Sequence, residues 1–183
     1  MNNIKSQGLV RCYHILKSFN TNNIWTLMKA FNVYVRPILE YNSPVWNPFL
    51  TQDVNSIEYV QRFFTRRAFR RCKIPYSSYE DRLNKINAVK LSTRRQTTDH
   101  IMTYKILNNL VDIPVTDILR YRNTPYRLRG HNLALEAPRR NSSSARNFFG
   151  QRVVKTWNNL QSEVVNSTNL ASFKTKLKNS QAS

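Results

Sequence analysis

The chain has 183 residues, of which 40% are hydrophobic and 11% aromatic, enough for a packed core of one domain or slightly more. Lysine and arginine number 29 against 10 acidic residues, and the formal net charge of +19 favours nucleic acid as partner over an anionic membrane or no partner. The presence of only three glycines and two cysteines argues against a dinucleotide-binding fold and a disulfide framework.

Apolar residues recur at helical spacing through the first third of the chain and predict three helices. The first spans about 4–19, and the second begins at Ile24. The third runs from Thr51, its expected N-cap, to about Cys72. Its predicted inner face comprises Val54, Ile57, Val60, Phe64 and Ala68.

The densest aromatic segment, residues 31–48, should form a corner between helices. Pro37 lacks a backbone donor and disfavours the α conformation in the preceding residue, so the helix should kink or restart there. Pro44 and Pro48 bracket Trp46, and this bracket should hold the backbone extended while the indole packs. The predicted structural anchors of the chain are Pro37, Tyr41, Trp46 and Trp157.

The third helix also carries five arginines. Three of them repeat every four residues and two lie beside them, namely Arg62, Arg66 and Arg70 with Arg67 and Arg71. We call Arg62, Arg66 and Arg70 the basic ridge. A step of four residues rises about 6 Å, which suits contacts to successive phosphates. The alternative is a solvated face, but compensating acids are scarce, and Glu58 before Arg62 is the one built-in pair.

The rest of the chain is expected to be mostly helical as well. A capping box at 77–80 should open a short helix to about residue 86, followed by a helix over about 92–110 and at most a turn at 116–119. Residues 120–146 read as a basic loop in which 126–129 and 132–136 could pair as a small hairpin. Two helices, over about 145–161 and 169–179, should close the chain. These elements predict a mainly α fold divided into 1–75, 76–119, 120–146 and 147–183.

Residues for catalysis, metal binding or membrane insertion are not evident. The adjacent carboxylates Glu80 and Asp81 lie at a helix start, where acids are favourable to the helix dipole. The cysteines and histidines lack the spacing of a zinc site. No apolar run approaches the ~20 residues of a membrane span, and no signal peptide is apparent. We therefore expect no catalytic residue, no metal and no membrane partner, and an intracellular location, nuclear and cytoplasmic.

Ten short motifs follow one another along the chain. They are YVRPILEY at 34–41, SPVWNP at 43–48, VQRFFTR at 60–66, YEDRL at 79–83, RR at 94–95, YKIL at 104–107, RGH at 129–131, NFF at 147–149, RVVKTWNNL at 152–160 and SFK at 172–174. In their joint order and spacing they resemble the region after the polymerase palm in non-LTR (LINE-type, jockey-like) retrotransposon reverse transcriptases. One departure is Gln161, where the family has a proline.

The resemblance implies that residues 1–75 are a helical thumb, which in these polymerases packs on the minor-groove side of the template–primer duplex, and that the rest is post-thumb. The catalytic aspartates of the family lie upstream, in a palm that has no counterpart here. The parent RNA-directed DNA polymerase would need Mg²⁺ at that palm, whereas we expect no cofactor in this chain.

Together, these arguments predict a nucleic-acid-binding fragment. Its expected contacts to RNA, DNA or an RNA–DNA hybrid are Arg62, Arg66, Arg67, Arg70, Arg71, Lys73, Arg94, Arg95, Arg127, Arg129 and His131. A polymerase palm and fingers region, in cis or in trans, is the other expected partner. Two alternatives stay open, a polymerase completed in trans by a separate palm and a truncated or decayed element copy without independent activity.

Overall fold

The computed structural model describes residues 2–122, 131–136 and 147–180, and this part of the chain is mainly helical, which confirms the predicted class. Its helices are α1 (Asn2–Ser18), α2 (Ile24–Tyr34), α3 (Arg36–Glu40), α4 (Ser43–Trp46), α5 (Thr51–Arg71), α6 (Tyr79–Lys85), α7 (Leu91–Leu107), α8 (Val115–Ile118), α9 (Phe149–Asn158), α10 (Ser162–Val165) and α11 (Leu170–Ser180). The chain divides into two units, unit 1 (Met1–Ser43 and Pro48–Arg95) and unit 2 (Pro44–Asn47 and Gln96–Ser183).

The core of unit 1 lies between α1, α2, α3 and α5. The predicted inner face of α5 is confirmed, since Ile57, Val60, Phe64 and Ala68 are buried and Val54 is half-buried. The ring of Phe64 lies 4.8 Å from that of Phe31 on α2, centroid to centroid. Burial of this stripe is what fixes the opposite face of α5 toward solvent.

The corner between α2 and α4 agrees with the sequence in part. The predicted restart at Pro37 is confirmed, because α2 ends at Tyr34 and α3 begins at Arg36 with Pro37 in its first turn. The prediction of an extended backbone around Trp46 is wrong, because Ser43–Trp46 is a short helix. A proline near the start of a helix is compatible with helical backbone. Tyr41 is 80% exposed and so is not placed as an anchor, whereas Trp46 is half-buried.

The helix starts show which capping predictions hold. The short helix predicted here forms, but its cap lies one residue later than the predicted box at 77–80. Ser78 caps α6, accepting a hydrogen bond from the Asp81 N–H at 3.1 Å, while the Asp81 carboxylate accepts one from the Ser77 N–H at 2.9 Å. Thr51 is not an N-cap but the first residue of α5, after Leu50. At α11 the side chain of Asn169 accepts from the Ser172 N–H at 2.8 Å. Asparagine is as good an N-cap as serine or threonine.

A buried carboxylate joins three helices of unit 1. Oε1 of Glu58 accepts hydrogen bonds from the Tyr79 hydroxyl at 2.5 Å and the Leu91 N–H at 3.3 Å, and Oε2 accepts from the Ser92 N–H at 3.4 Å. The expected Glu58–Arg62 pair is not among the ion pairs of the described residues, because the carboxylate turns inward to the start of α7. Glu58 thus ties residues up to Arg95 to unit 1, where the sequence predicted a boundary near 75.

The core of unit 2 surrounds Trp157 on α9. Its ring is fully buried, its Nε1–H donates to the Leu133 carbonyl at 3.0 Å, and Phe173 and His100 lie beside it at centroid distances of 6.0 and 6.4 Å. The helix is shorter than predicted, and Phe148 is exposed at its N-cap. The short helix α10 was not predicted.

A buried ion pair organises the polar part of unit 2. Arg152 donates from Nε and Nη2 to the two Asp99 oxygens at 3.0 and 2.9 Å, and Nη2 also donates to the Pro44 carbonyl at 2.7 Å. Asn47 Nδ2 donates to Asp99 Oδ2 at 3.2 Å. These bonds explain why the segment Pro44–Asn47 belongs to unit 2.

The predicted hairpin cannot be compared in full, because its arm at 126–129 lies outside the described residues. The other arm pairs with a different segment, since Tyr121 and Leu135 form an antiparallel bridge. The Arg122 N–H donates to the Ala134 carbonyl at 2.9 Å, and the Glu136 N–H to the Arg120 carbonyl at 2.8 Å.

Gly150 marks a close approach in unit 2 that should not tolerate a side chain. A Cβ at this position would lie 2.1 Å from the Ile118 carbonyl oxygen, which is backbone and cannot rotate away. We expect Gly150→Ala to lower the free energy of unfolding by about 2 kcal/mol or more, measured by urea denaturation. Gly8→Ala is the comparison, since its Cβ would meet only side-chain methyl groups, the Leu39 Cδ2 at 2.9 Å and the Val60 Cγ1 at 3.1 Å, rather than backbone, while alanine favours the helix. Equal losses in the two variants would contradict the close approach.

His100 should make unit 2 sensitive to acid. Burial lowers its pKa from 6.5 to about 4, and neither ring nitrogen hydrogen-bonds to a described residue. Since the unfolded chain binds the proton more readily, stability should be constant above pH 6.5 and fall as the pH drops from 6.5 to about 4. The loss should be on the order of 3 kcal/mol.

Thermal melts across this range measure the effect. His100→Phe, which cannot titrate, should flatten the profile, and the exposed His14→Gln should keep it. A profile that His100→Phe leaves unchanged would assign the titration to another group.

Candidate nucleic-acid interface

The outer face of α5 is a surface of exposed cations. Its members are Arg62, Arg66, Arg67 and Arg70, followed by the exposed Lys73 just beyond the helix end. None of the ion pairs between described residues involves any of them. The structure therefore places the whole basic ridge, with Arg67 and Lys73, in solvent.

The acids of α5 are positioned where they do not neutralise this face. Asp53 lies in the first turn of the helix, where it is favourable to the helix dipole, and the arginines occupy the opposite end. Glu58 is buried and bonded to Tyr79 and the start of α7. Outside α5, the exposed Glu80 has its pKa held below the ordinary value first by a hydrogen bond from Lys90, with only a small effect from Arg62.

Two of the exposed arginines lie against aromatic rings. The Arg62 guanidinium carbon lies 5.0 Å from the Tyr79 ring centroid, and that of Arg67 lies 5.0 Å from the centroid of Phe63. A guanidinium over a ring face is restricted in position, yet its N–H groups remain at its edge for an acceptor. The rings therefore preorganise these two cations without consuming their donors.

Arg71 has a structural role instead of the predicted phosphate contact. It is half-buried, donates from Nη1 to the Phe19 carbonyl at 2.9 Å, and hydrogen-bonds from Nη2 to the Leu16 carbonyl. These carbonyls lie at the C-terminal end of α1, where backbone acceptors lack helical partners and a cation is favourable. Arg71 therefore caps the C-terminal end of α1, and its hydrogen-bond donors are not available to a ligand.

The α7 arginines are also not placed as predicted. Arg94 makes a two-point pair with Glu40, from Nε to Oε1 at 2.5 Å and from Nη2 to Oε2 at 3.1 Å. Arg95 is 1% exposed. The Arg94 donors are thus engaged by Glu40, although the side chain is about one-third exposed, and the Arg95 side chain is buried, so neither is placed as a free phosphate contact.

The remaining predicted contacts lie in or near the basic loop. Arg127 and Arg129 lie outside the described residues. His131 is buried in unit 2, with Nε2 3.1 Å from the Trp157 carbonyl and its ring edge-on to the Trp157 indole, so it does not face a ligand.

Sequence reasoning missed exposed aromatic residues beside the arginines. Tyr59, Phe63 and Arg67 follow one another at steps of four residues on α5, and Tyr13 on α1 packs against Phe63 with ring centroids 5.2 Å apart. Lys5 Nζ lies 4.9 Å from the Tyr59 ring centroid. The four-residue spacing was a signal, but the contribution of α1 requires the tertiary structure.

Two further features bear on function. In the described part of the chain, no helix combines the length and apolar character required to cross a bilayer. Among the same residues, no cluster of three or more His, Cys, Asp or Glu side chains could hold a metal ion.

Comparison with known proteins identifies one similar sequence without a stated activity. No protein-family model and no solved structure matches the chain. The present chain is 30% identical over 92 residues to a Caenorhabditis elegans protein named Uncharacterized protein B0403.1. The alignment covers 50% of this chain and 46% of that protein, so the chain spans about half the length of the curated relative that it matches.

Arg70 and Arg71 allow a direct test of the difference between an exposed arginine of the ridge and an arginine that stabilises the end of α1. Arg71→Ala should lower the free energy of unfolding by about 2 kcal/mol, because it removes charge-assisted hydrogen bonds to the end of α1. Arg70→Ala should change it by less than about 0.5 kcal/mol, since this side chain is exposed. Urea denaturation of both variants makes the comparison. If both lose the same stability, the assignment of Arg71 to the α1 terminus is wrong.

Proposed function

We propose that this protein binds nucleic acid through the outer face of α5, using phosphate contacts from the basic ridge together with Arg67 and Lys73. One observation carries the proposal. These five cations are exposed, lie in the C-terminal half of α5 and just beyond it, and form no ion pairs with described residues, in a chain of net charge +19. An acid-poor surface of this kind attracts a polyanion and releases its counterions on binding.

The geometry favours contact along a backbone over reading of bases. Arg62, Arg66 and Arg70 rise by about 6 Å per step along one uninterrupted helix, so they can follow successive phosphates. Such contacts fix position but carry little sequence information. We therefore propose that binding tolerates sequence and accepts RNA, DNA or an RNA–DNA hybrid.

The motif resemblance supports a more specific form of the proposal. The segment VQRFFTR that resembles the LINE-type reverse transcriptases supplies two of the ridge arginines, Arg62 and Arg66. We propose that the chain is a thumb and post-thumb region of such a protein, binding template–primer or element RNA in the nucleus and cytoplasm. This assigns binding to the chain and leaves polymerisation to a palm outside it.

Salt dependence of binding tests the proposal. If the five exposed cations each engage a phosphate of a duplex, log K should fall with log salt with a slope of about −4.5. The variant Arg62→Ala/Arg66→Ala/Arg70→Ala should reduce the magnitude of that slope by about 3 and weaken binding to duplexes of different sequence alike. Fluorescence anisotropy with a labelled hybrid duplex measures both quantities.

A variant with the same loss of charge elsewhere is the control. Lys174, Lys176 and Lys178 on α11 are exposed, and their joint replacement by alanine removes three charges without touching α5. This control should retain most of the affinity and the slope. A flat salt dependence of the unmodified chain, or an equal loss in both triple variants, would refute the α5 interface.

A further inference from the structure

We propose that unit 1 also binds unpaired bases of single-stranded nucleic acid on an aromatic strip formed by Tyr13, Tyr59 and Phe63. This inference rests on the proposed function for its polyanionic ligand, and adds a second binding element beside the basic ridge. It assigns a subsite and a ligand class, single-stranded RNA or DNA, that phosphate contacts alone do not specify.

The strip is continuous and open. The ring centroids are 5.2 Å apart between Tyr13 and Phe63 and 6.3 Å apart between Tyr59 and Phe63. Tyr13 is 51% exposed and Tyr59 is 46% exposed, while Phe63 is half-buried between them. Neither tyrosine hydroxyl hydrogen-bonds to another described residue, so these rings are held by packing and the contacts along the strip.

Cations lie directly on the strip. Lys5 Nζ is 4.9 Å from the Tyr59 centroid, and the Arg67 guanidinium carbon is 5.0 Å from the Phe63 centroid and 6.0 Å from that of Tyr13. A base that stacks on Tyr59 would displace the flexible lysine from the ring toward the phosphate of the same nucleotide. The guanidinium of Arg67 can itself stack with a base.

Charge selects the occupant of this surface. Helix α1 contains no acidic residue, and the acids of α5 are Asp53 in the first turn and the buried Glu58. An aromatic surface among cations fits a ligand that offers both flat aromatic groups and negative charge, and single-stranded nucleic acid offers both at every nucleotide. In a duplex the base faces are covered by neighbouring base pairs, so the strip favours single-stranded over double-stranded nucleic acid.

The experiment compares two oligonucleotides with the same number of phosphates. One is a labelled oligothymidylate of about 12 nucleotides and the other is an abasic oligomer of equal length, both titrated with the full chain at one salt concentration. Stacking of at least one base should make the oligothymidylate bind at least about 5-fold more tightly. This comparison uses the unmodified protein, so it does not depend on any variant folding.

Paired variants locate the effect. Tyr13→Leu/Tyr59→Leu keeps apolar bulk but removes the two exposed rings of the strip, and it should lose most of the preference for the oligothymidylate. The control Tyr34→Leu/Tyr41→Leu removes two other exposed tyrosines of unit 1 and should retain the preference. Circular dichroism melts confirm that each variant is folded.

The outcomes separate this inference from the proposed function. Equal, salt-dependent binding of both oligomers by the unmodified protein overturns the strip and leaves the α5 interface intact. Absence of salt-dependent binding to any nucleic acid overturns the α5 interface, and the strip with it. Tighter binding to phosphatidylserine vesicles or to an acidic, aromatic peptide, lost only in Tyr13→Leu/Tyr59→Leu, would assign the strip to a membrane or protein partner instead.

Discussion

The buried carboxylate of Glu58 is the constraint on which unit 1 depends. A charge in a core is tolerated only when hydrogen bonds replace its water, and here the Tyr79 hydroxyl and the first N–H groups of α7 do so. Meeting that requirement joins α5, α6 and α7. The pKa of Tyr79 is raised, by burial first and then by its bond to Glu58, so the phenol keeps the proton that it donates. The same requirement draws the Glu58 carboxylate inward, away from Arg62 four residues later, so the ridge is left without a neutralising partner in its own helix.

The sequence specifies the helices well because burial of apolar side chains sets their periodicity. The inner face of α5, the restart at Pro37 and the cap at Ser78 all follow from local rules. The positions of polar residues whose partners are distant in the sequence do not follow from local rules. Arg71 and Arg95 look like surface arginines from periodicity alone, yet one closes a helix more than 50 positions earlier in the chain and the other is buried. Likewise, the pairing of Tyr121 with Leu135 depends on where the chain returns, which no local pattern encodes.

The motifs that suggested a family are mostly motifs of the core. Within YEDRL, Tyr79, Arg82 and Leu83 are buried, and within RVVKTWNNL the residues Arg152 and Trp157 hold the polar and aromatic centres of unit 2. Such residues are restricted by packing, so their resemblance speaks first to the fold. Function is instead proposed from charge and exposure on α5. The candidate site could be anticipated for the ridge, whose spacing is local, but not for the aromatic strip, to which α1 contributes Tyr13.

The contrast between Arg71 and its neighbours has a consequence for how such a sequence can diverge. At Arg66 and Arg70, which are exposed, a lysine would supply the same charge to a phosphate, so exchange between the two basic residues should be nearly neutral there over evolutionary time. Arg71 reaches two carbonyls from two separate nitrogens, a task that a single ammonium performs poorly. One helix can therefore contain arginines that tolerate replacement by lysine and an arginine that does not, and related sequences should vary at the former positions and not at Arg71.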